Sequence, residues 1–252
     1  MDTMEGEEQE WIEAPSGWGD NEEGDHRDND QNDMIDIFGS TDTSERFTYE
    51  IKLDNKTVKT IRLEGYKLDS DETDHSTGVT LWQASPRLAK YLQSHTEICK
   101  GKTVLEVGAG LGLCGITAYY AGAKNIVMTD GDTKTLKGMR SNVQQNCSAV
   151  DDDRIVCKQL LWGSPHMEKF LKEHEEFDVI LAADVIYTRD AIEPLMDTVA
   201  CLIKKKDGVF ILSRYTKWHG IDDEVVIDIA KQRCLHCTRP SEGIFIFRWK
   251  EA

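Results

Sequence analysis

The chain has 252 residues, with 30 Lys or Arg against 46 Asp or Glu, and a formal net charge of −16. Residues 1–45 hold 16 of the acidic side chains and one basic one, Arg27, so the remaining 207 residues carry 30 acidic against 29 basic groups. The balanced part lacks the basic footprint of a nucleic-acid-binding surface, and no run of 18 apolar residues offers a membrane-spanning helix.

The acidic start, Met1-Asp2-Thr3-Met4-Glu5, is the reverse of a basic leader region, which predicts a soluble, unexported protein. Seven cysteines without framework spacing predict free thiols in a reducing compartment, the cytoplasm with access to the nucleus. Residues 1–45 are rich in Asp, Glu, Asn and Gly, a composition that cannot bury enough apolar area to offset the entropy of ordering, so a disordered tail is predicted. Two apolar islands, Trp11-Ile12 with Trp18 and Met34-Ile35 with Ile37-Phe38, give that tail the means to dock on a basic partner or on the domain itself.

Residues 46–252 read as one α/β domain acting as a monomer. Phe47, Tyr49, Ile51 and Leu53 alternate, Asp54-Asn55-Lys56 interrupts, and Val58, Ile61 and Leu63 resume, which predicts a β-hairpin within 47–68. A polar loop is expected at Asp69 to Asp74. Gly78 to Ser85 then leads into a helix carrying Leu88, Ala89, Tyr91 and Leu92, with Ser85 and Pro86 at its cap and first turn. Trp82, just ahead of that helix, fits either a cofactor wall or the core.

The stretch Lys102 to Gly115 is the most informative. An apolar β-branched run meets Glu106 and then Gly108, Gly110, Gly112 and Gly115, after which Ile116, Ala118, Tyr119 and Ala121 continue at helical spacing. Strand, tight glycine turn and helix follow in that order. Such a turn lies at the carboxyl edge of a parallel sheet, where open α/β folds bind ligands, and its glycines let main-chain N–H groups approach a ligand with no Cβ in the way. Gly110 to Gly115 spells the dinucleotide fingerprint G-x-G-x-x-G. With the strand ending at Val107, however, the first turn glycine is Gly108, and the third fingerprint position counted from it is Leu113.

Asn125 to Asp130 reads as the second strand of the sheet, and its terminal acid comes 22 residues after Gly108. A carboxylate there can accept both ribose hydroxyls of a nucleoside, whichever cofactor carries it. Asp132 is the expected cap of a helix over 132–146. Asp151-Asp152-Asp153 reads as a solvated turn, and strand three, Ile155 to Cys157, runs into Trp162-Gly163 at the same edge, where an aromatic face can stack on adenine. Ser164-Pro165 starts the next helix. Phe177 to Tyr187 is a continuous apolar run, as for a strand buried on both faces, and ends in Asp184-Val185-Ile186-Tyr187. A helix over 191–203, strand five to Ser213, a helix near 221–232 and an antiparallel hairpin of Leu235–Thr238 with Ile244–Trp249 complete the chain. Cys234 and Cys237 with His236 lack a second ligand pair, so no metal is expected.

Glu106-x-Gly108-x-Gly110-x-Gly112 resembles motif I of the class I, seven-strand S-adenosylmethionine-dependent methyltransferases. Val79 to Trp82, Leu160 to Gly163 and Asp184 to Tyr187 resemble the V-W, L-x-W-G and D-x-x-Y/F elements of the family-16 protein methyltransferases, in the same order over residues 47 to the end. The resemblance implies a Rossmann-like sheet with an antiparallel C-terminal hairpin, S-adenosylmethionine as cofactor and a protein substrate methylated on lysine or, in a few members, histidine. It implies Asp184 and Tyr187 as the substrate-orienting pair, and Trp82, Glu106, Gly108, Gly110, Asp130, Trp162 and Ala183 as the cofactor site. The residues alone leave open a nucleotide-dependent oxidoreductase of the NAD type, and a cofactor-binding adaptor without turnover whose acidic tail recruits a basic partner.

Overall fold

A computed structural model describes residues 43–52, 58–147, 153–163, 166–215 and 218–250. The tail expectation up to residue 42, the hairpin turn at Asp54-Asn55-Lys56, the Asp151-Asp152 pair and the Ser164-Pro165 helix start lie outside the described residues. Strands β1 (Ser44–Lys52) and β2 (Val58–Tyr66) pair antiparallel as a separate two-stranded sheet, which begins at Ser44 rather than after a tail ending at residue 45.

The main sheet contains β3 (Thr103–Val107), β4 (Asn125–Asp130), β5 (Ile155–Gln159), β6 (Val179–Ala183), β7 (Val209–Ser213), β8 (Leu235–Ser241) and β9 (Ile244–Trp249). Its order is β5-β4-β3-β6-β7-β9-β8. The first five are parallel, and β9 inserts antiparallel between β7 and β8. The helices are α1 (Asp71–His75), α2 (Ala84–Ser94), α3 (Leu113–Tyr120), α4 (Thr133–Asn146), α5 (His166–Glu173), α6 (Ile192–Leu202) and α7 (Asp223–Gln232).

Successive strand side chains point to opposite faces, and the central strands divide accordingly into two cores. Val179 and Leu181 of β6, Val209 and Ile211 of β7, and Ile244 and Ile246 of β9 pack with α2, α3, α4 and the hairpin. Ile180 and Ala182, Phe210 and Leu212, and Phe245 and Phe247 pack on the other side with α6 and α7. The apolar run of β6 is therefore what burial on both faces demands. On α6, Ile192, Leu195, Met196, Val199 and Leu202 recur at helical spacing and form the buried stripe.

The hairpin is held by a device the apolar pattern does not reveal. Asn142 and Asn146, one turn apart on α4, pair their side-chain amides with the free edge of β2. Asn146 accepts from Arg62 N at 2.8 Å and donates to Arg62 O at 2.7 Å, while Asn142 accepts from Glu64 N at 2.9 Å and donates to Glu64 O at 3.2 Å. Two helix side chains thus stand in for a neighbouring strand and occupy an edge that would otherwise be open to pairing.

Two local expectations are corrected. The loop at Asp69–Asp74 contains the short α1, because Ser70 caps it by accepting from Thr73 N and Asp71, Glu72 and Asp74 place negative charge in its first turn. Helix α2 starts at Ala84, ahead of the Ser85-Pro86 pair, and its preceding residue Gln83 makes no side-chain cap. The partner for Ala84 N comes from 100 residues further along the chain, the carboxylate of Asp184 at 3.2 Å.

Candidate active site

The carboxyl ends of β3, β4 and β6 open into one cavity of about 710 Å³. Strand β3 ends at Val107, and the chain reaches α3 through Gly108, Gly110 and Gly112 at φ of 62°, 55° and 91°, a region glycine enters without strain. A Cβ on Gly108 would stand 2.6 Å from Val185 Cγ1 and 3.4 Å from Trp162 Cζ2. The loop is tied to β4 by Ala109 N donating to Thr129 O at 2.8 Å and Thr129 Oγ1 donating to Glu106 O at 2.8 Å.

Eight of the nine sequence-indicated residues line this cavity: Trp82, Gly108, Gly110, Asp130, Trp162, Ala183, Asp184 and Tyr187. Glu106 does not. It lies beneath the loop, 2% exposed, and accepts Gly115 N of α3 at 2.7 Å. Burial pushes its carboxyl up to about 8, with the Gly115 N–H and the Cys114 side chain pulling the other way. Its place has a chemical consequence. A dinucleotide fold presents the N–H groups at this helix end to a pyrophosphate, whereas here an internal carboxyl group already takes one of them.

Asp130 stands at the end of β4 with Oδ2 accepting Gly110 N and Oδ1 accepting Asp132 N, both at 3.1 Å. Burial raises its pKa, opposed chiefly by those two N–H groups. Asp132 caps α4 as expected, accepting from Lys134 N at 3.0 Å and Thr135 N at 3.3 Å, and it also accepts from Ser76 Oγ. That last bond fastens the segment after α1 to the cavity wall. Gly78 in this segment is required by close approach, since a Cβ there would meet Thr135 Oγ1 at 2.5 Å. Trp82 Nε1 donates to Thr77 O at 2.7 Å and closes the same segment from its other end.

At the end of β6, Asp184 takes a left-handed backbone with φ 52°. Its carboxylate bridges two elements: Oδ2 accepts from Ala84 N at the start of α2, and Oδ1 from Tyr215 N just past β7 at 2.9 Å. Burial raises the Asp184 pKa, and the two N–H groups with the nearby Arg214 and Arg87 guanidiniums oppose the rise. Tyr187 is 43% exposed and has no hydrogen-bond partner among the described residues. His75, Ser76, Asp132, Leu160 and His219 also line the cavity. They sit in connecting segments whose path over the sheet edge no periodicity encodes; Asp132 carried a signal as a helix cap and Leu160 as the first residue of the L-x-W-G stretch.

The arrangement provides a carboxylate suited to vicinal hydroxyls at β4, a glycine loop with indole and aliphatic walls beside it, and a second carboxylate with a phenol at β6. Among solved structures, the chain resembles an S-adenosylmethionine-dependent methyltransferase from Agrobacterium tumefaciens, with TM-score 0.54 and 12% identity over 81% of this chain and 70% of that one. That likeness establishes the fold. In sequence it is 31% identical over 169 residues to the protein N-terminal and lysine N-methyltransferase efm7 of Neurospora crassa, covering 61% of this chain and 60% of the relative. It is 34% identical over 134 residues to the protein N-lysine methyltransferase METTL21A of Mus musculus, covering 53% and 59%. The chain thus aligns with about three fifths of the length of these curated relatives. Residues 64–232, the segment from the end of β2 through α7, match the family described as lysine methyltransferase, and the chain belongs to that family.

Proposed function

We propose that this chain is an S-adenosylmethionine-dependent protein N-methyltransferase acting on a lysine side chain of a protein substrate. The observation that carries the reading is the meeting of Gly108, Asp130 and Asp184, each at the end of a different parallel strand, around a single cavity. The cavity suits the cofactor on its own chemistry. Gly108 leaves open space that a Cβ would fill, Asp130 offers a carboxylate where a ribose would be held, Trp162 offers an aromatic face, and Glu106 leaves the helix end unsuited to a diphosphate. When bound, S-adenosylmethionine supplies an electrophilic methyl group on sulfur. The names of the lysine-modifying relatives support the choice of acceptor.

The protein's own part is positional. Well-oriented reactants recover roughly 7–11 kcal/mol of a bimolecular barrier, and hydrogen bonds between separate segments tie the walls here together. Asp184 joins the start of α2 to the exit of β7, so the two sides of the acceptor end are clasped by one carboxylate. Tyr187 presents its ring and hydroxyl beside it at the mouth. A lysine ammonium, with a pKa of about 10.4 in water, must lose a proton before its lone pair can attack, and a partly desolvated mouth lowers that pKa. The seven cysteines, none in a disulfide, support a reducing, cytoplasmic setting, and the charge of residues 1–45 supports a basic partner for that segment of a monomeric enzyme.

The test is transfer of a labelled methyl group from S-adenosylmethionine to proteins of a cell extract, comparing the unaltered chain with Asp184→Ala and Tyr187→Ala. Protein labelling that resists base hydrolysis and falls in both variants is the expected result. The Tyr187 variant removes an exposed side chain and leaves the clasp in place, so its loss of labelling reports on the site rather than on folding. Equal labelling by all three chains refutes the assignment of this edge as the acceptor site.

A further inference from the structure

The acceptor end lacks an assigned destination for the proton that the amine must lose. Six titratable side chains line the cavity: His75, Asp130, Asp132, Asp184, Tyr187 and His219. The three carboxylates are already engaged. Asp130 holds Gly110 N and Asp132 N, Asp132 caps α4 and holds Ser76, and each oxygen of Asp184 accepts a main-chain N–H. A neutral phenol is poorly disposed to take a proton from an ammonium. His75 ends α1, in the segment bonded to α4 through Ser76 and packed over Gly110, on the Asp130 side of the cavity.

His219 differs. It lines the same cavity as Asp184 and Tyr187 and comes after β7, the strand next to β6. It is exposed, and its imidazole has no hydrogen-bond partner among the described residues. Its backbone is left-handed, φ 47° and ψ 32°, and Gly220 follows at φ 68°. Of the four described non-glycine residues with positive φ, two line this cavity, Asp184 and His219. A conformation that disfavours ordinary side chains persists where the surroundings impose it, and such positions cluster at working sites. Nearby in sequence Arg214, 5% exposed, sends Nη1 to Asp223 Oδ1 at 2.6 Å and Nη2 to Ile221 O at 3.0 Å, which holds the residues just after His219.

We propose that His219 is the proton acceptor for the substrate amine, taking one proton from the ammonium before methyl transfer and releasing it to water at the cavity mouth. The inference rests on the amine-methylation reading above. In the step, one N–H bond of the ammonium breaks and one N–H bond forms on an imidazole ring nitrogen, directly or through one water; the ring then returns the proton to solvent and no other bond changes. Imidazole is the side chain suited to cycle in this way near neutral pH. Asp184 keeps the positioning role its bonds give it.

The experiment uses the full chain, His219→Ala and His219→Gln, with labelled S-adenosylmethionine and the extract protein that the unaltered chain labels. General-base catalysis contributes typically 10²–10⁴-fold, so both variants should lose labelling rate on that scale at neutral pH while binding S-adenosylhomocysteine with unchanged affinity by calorimetry. Free imidazole added to His219→Ala should restore part of the rate and should do nothing for Tyr187→Ala. A merely structural role predicts no such rescue. Full activity in both variants, failure of imidazole to restore any rate, or lost cofactor binding each overturns the assignment while leaving the methyltransferase reading intact. No labelling by the unaltered chain removes both.

Discussion

Replacing Glu106 by glutamine should make the protein more stable at alkaline pH, which is unusual for a change directly beneath the glycine loop. The carboxyl is 2% exposed, and its one main-chain partner is Gly115 N at 2.7 Å. Burial pushes its pKa up to about 8 from an ordinary 4.5. Between those values the folded chain holds a proton that the unfolded chain has released, so folding takes up a proton and stability falls as pH rises through the window. The contribution is fully present below pH 4.5 and lost above about 8. At 1.36 kcal/mol for each pH unit, the loss across the window is at most about 5 kcal/mol. Glutamine keeps an oxygen for Gly115 N and never ionises. Urea unfolding followed by tryptophan fluorescence from pH 5 to 9 should show the parent chain losing stability towards pH 8 and Glu106→Gln losing less, so that the two curves separate on the alkaline side. Parallel curves, or a parent chain that gains stability over that range, would refute the burial argument.

Other consequences follow from the same geometry. Gly108→Ala adds a Cβ 2.6 Å from Val185 Cγ1 at φ 62°, and the left-handed backbone alone costs about 1–2 kcal/mol; S-adenosylhomocysteine affinity by calorimetry should fall by about tenfold or more. Asp184→Asn turns one of two acceptors into a donor facing a main-chain N–H, so it should lose about 1.5–3 kcal/mol in denaturant melts, whereas Tyr187→Ala should melt like the parent. Arg214→Met leaves Ile221 O and the partly exposed Asp223 without their buried partner and should cost about 1–3 kcal/mol by the same measurement. Burial pushes the Cys99 thiol up to about 12 and Cys114 well above the usual thiol range, so iodoacetamide should alkylate exposed Cys201 and Cys234 in the native protein and reach Cys99 and Cys114 only after denaturation, as read by mass spectrometry.

What the letters made legible was whatever repeats or sits next to its cause. The apolar run Val179 to Ala182 shows a strand buried on both faces, and the two cores divide along its alternation. Asp130 and Asp184 were readable because an acid ending an apolar strand has a fixed place at the sheet edge. Glu106 was readable as the acid ahead of the glycine loop but not as its support, since its bond to Gly115 depends on the strand's register and on which face the side chain takes. The start of α2 was misplaced for a related reason: a local cap was sought at Ser85, while the group satisfying Ala84 N lies 100 residues along the chain. The Asn142 and Asn146 pairing with β2 is similarly non-local, and polar residues on a helix look alike whether they face water or a strand edge.

These non-local bonds share a pattern that bears on function. Glu106, Asp130, Asp132 and Asp184 each direct a carboxyl oxygen at a main-chain N–H of a different segment: the third residue of α3, the glycine loop, the first turn of α4, and the start of α2 with the exit of β7. Acids at the carboxyl edge of a parallel sheet meet helix N-termini there, where N–H groups lack intrahelical partners and the dipole favours negative charge. The edge that must bind a ligand is therefore also the edge where acids can lock the surrounding loops. Walls tied together in this way leave less ordering entropy to lose when the cavity is occupied. The acids that look catalytic in the sequence are in this fold first the fasteners of the site, which leaves proton traffic to a side chain that fastens nothing, and His219 is placed for that work.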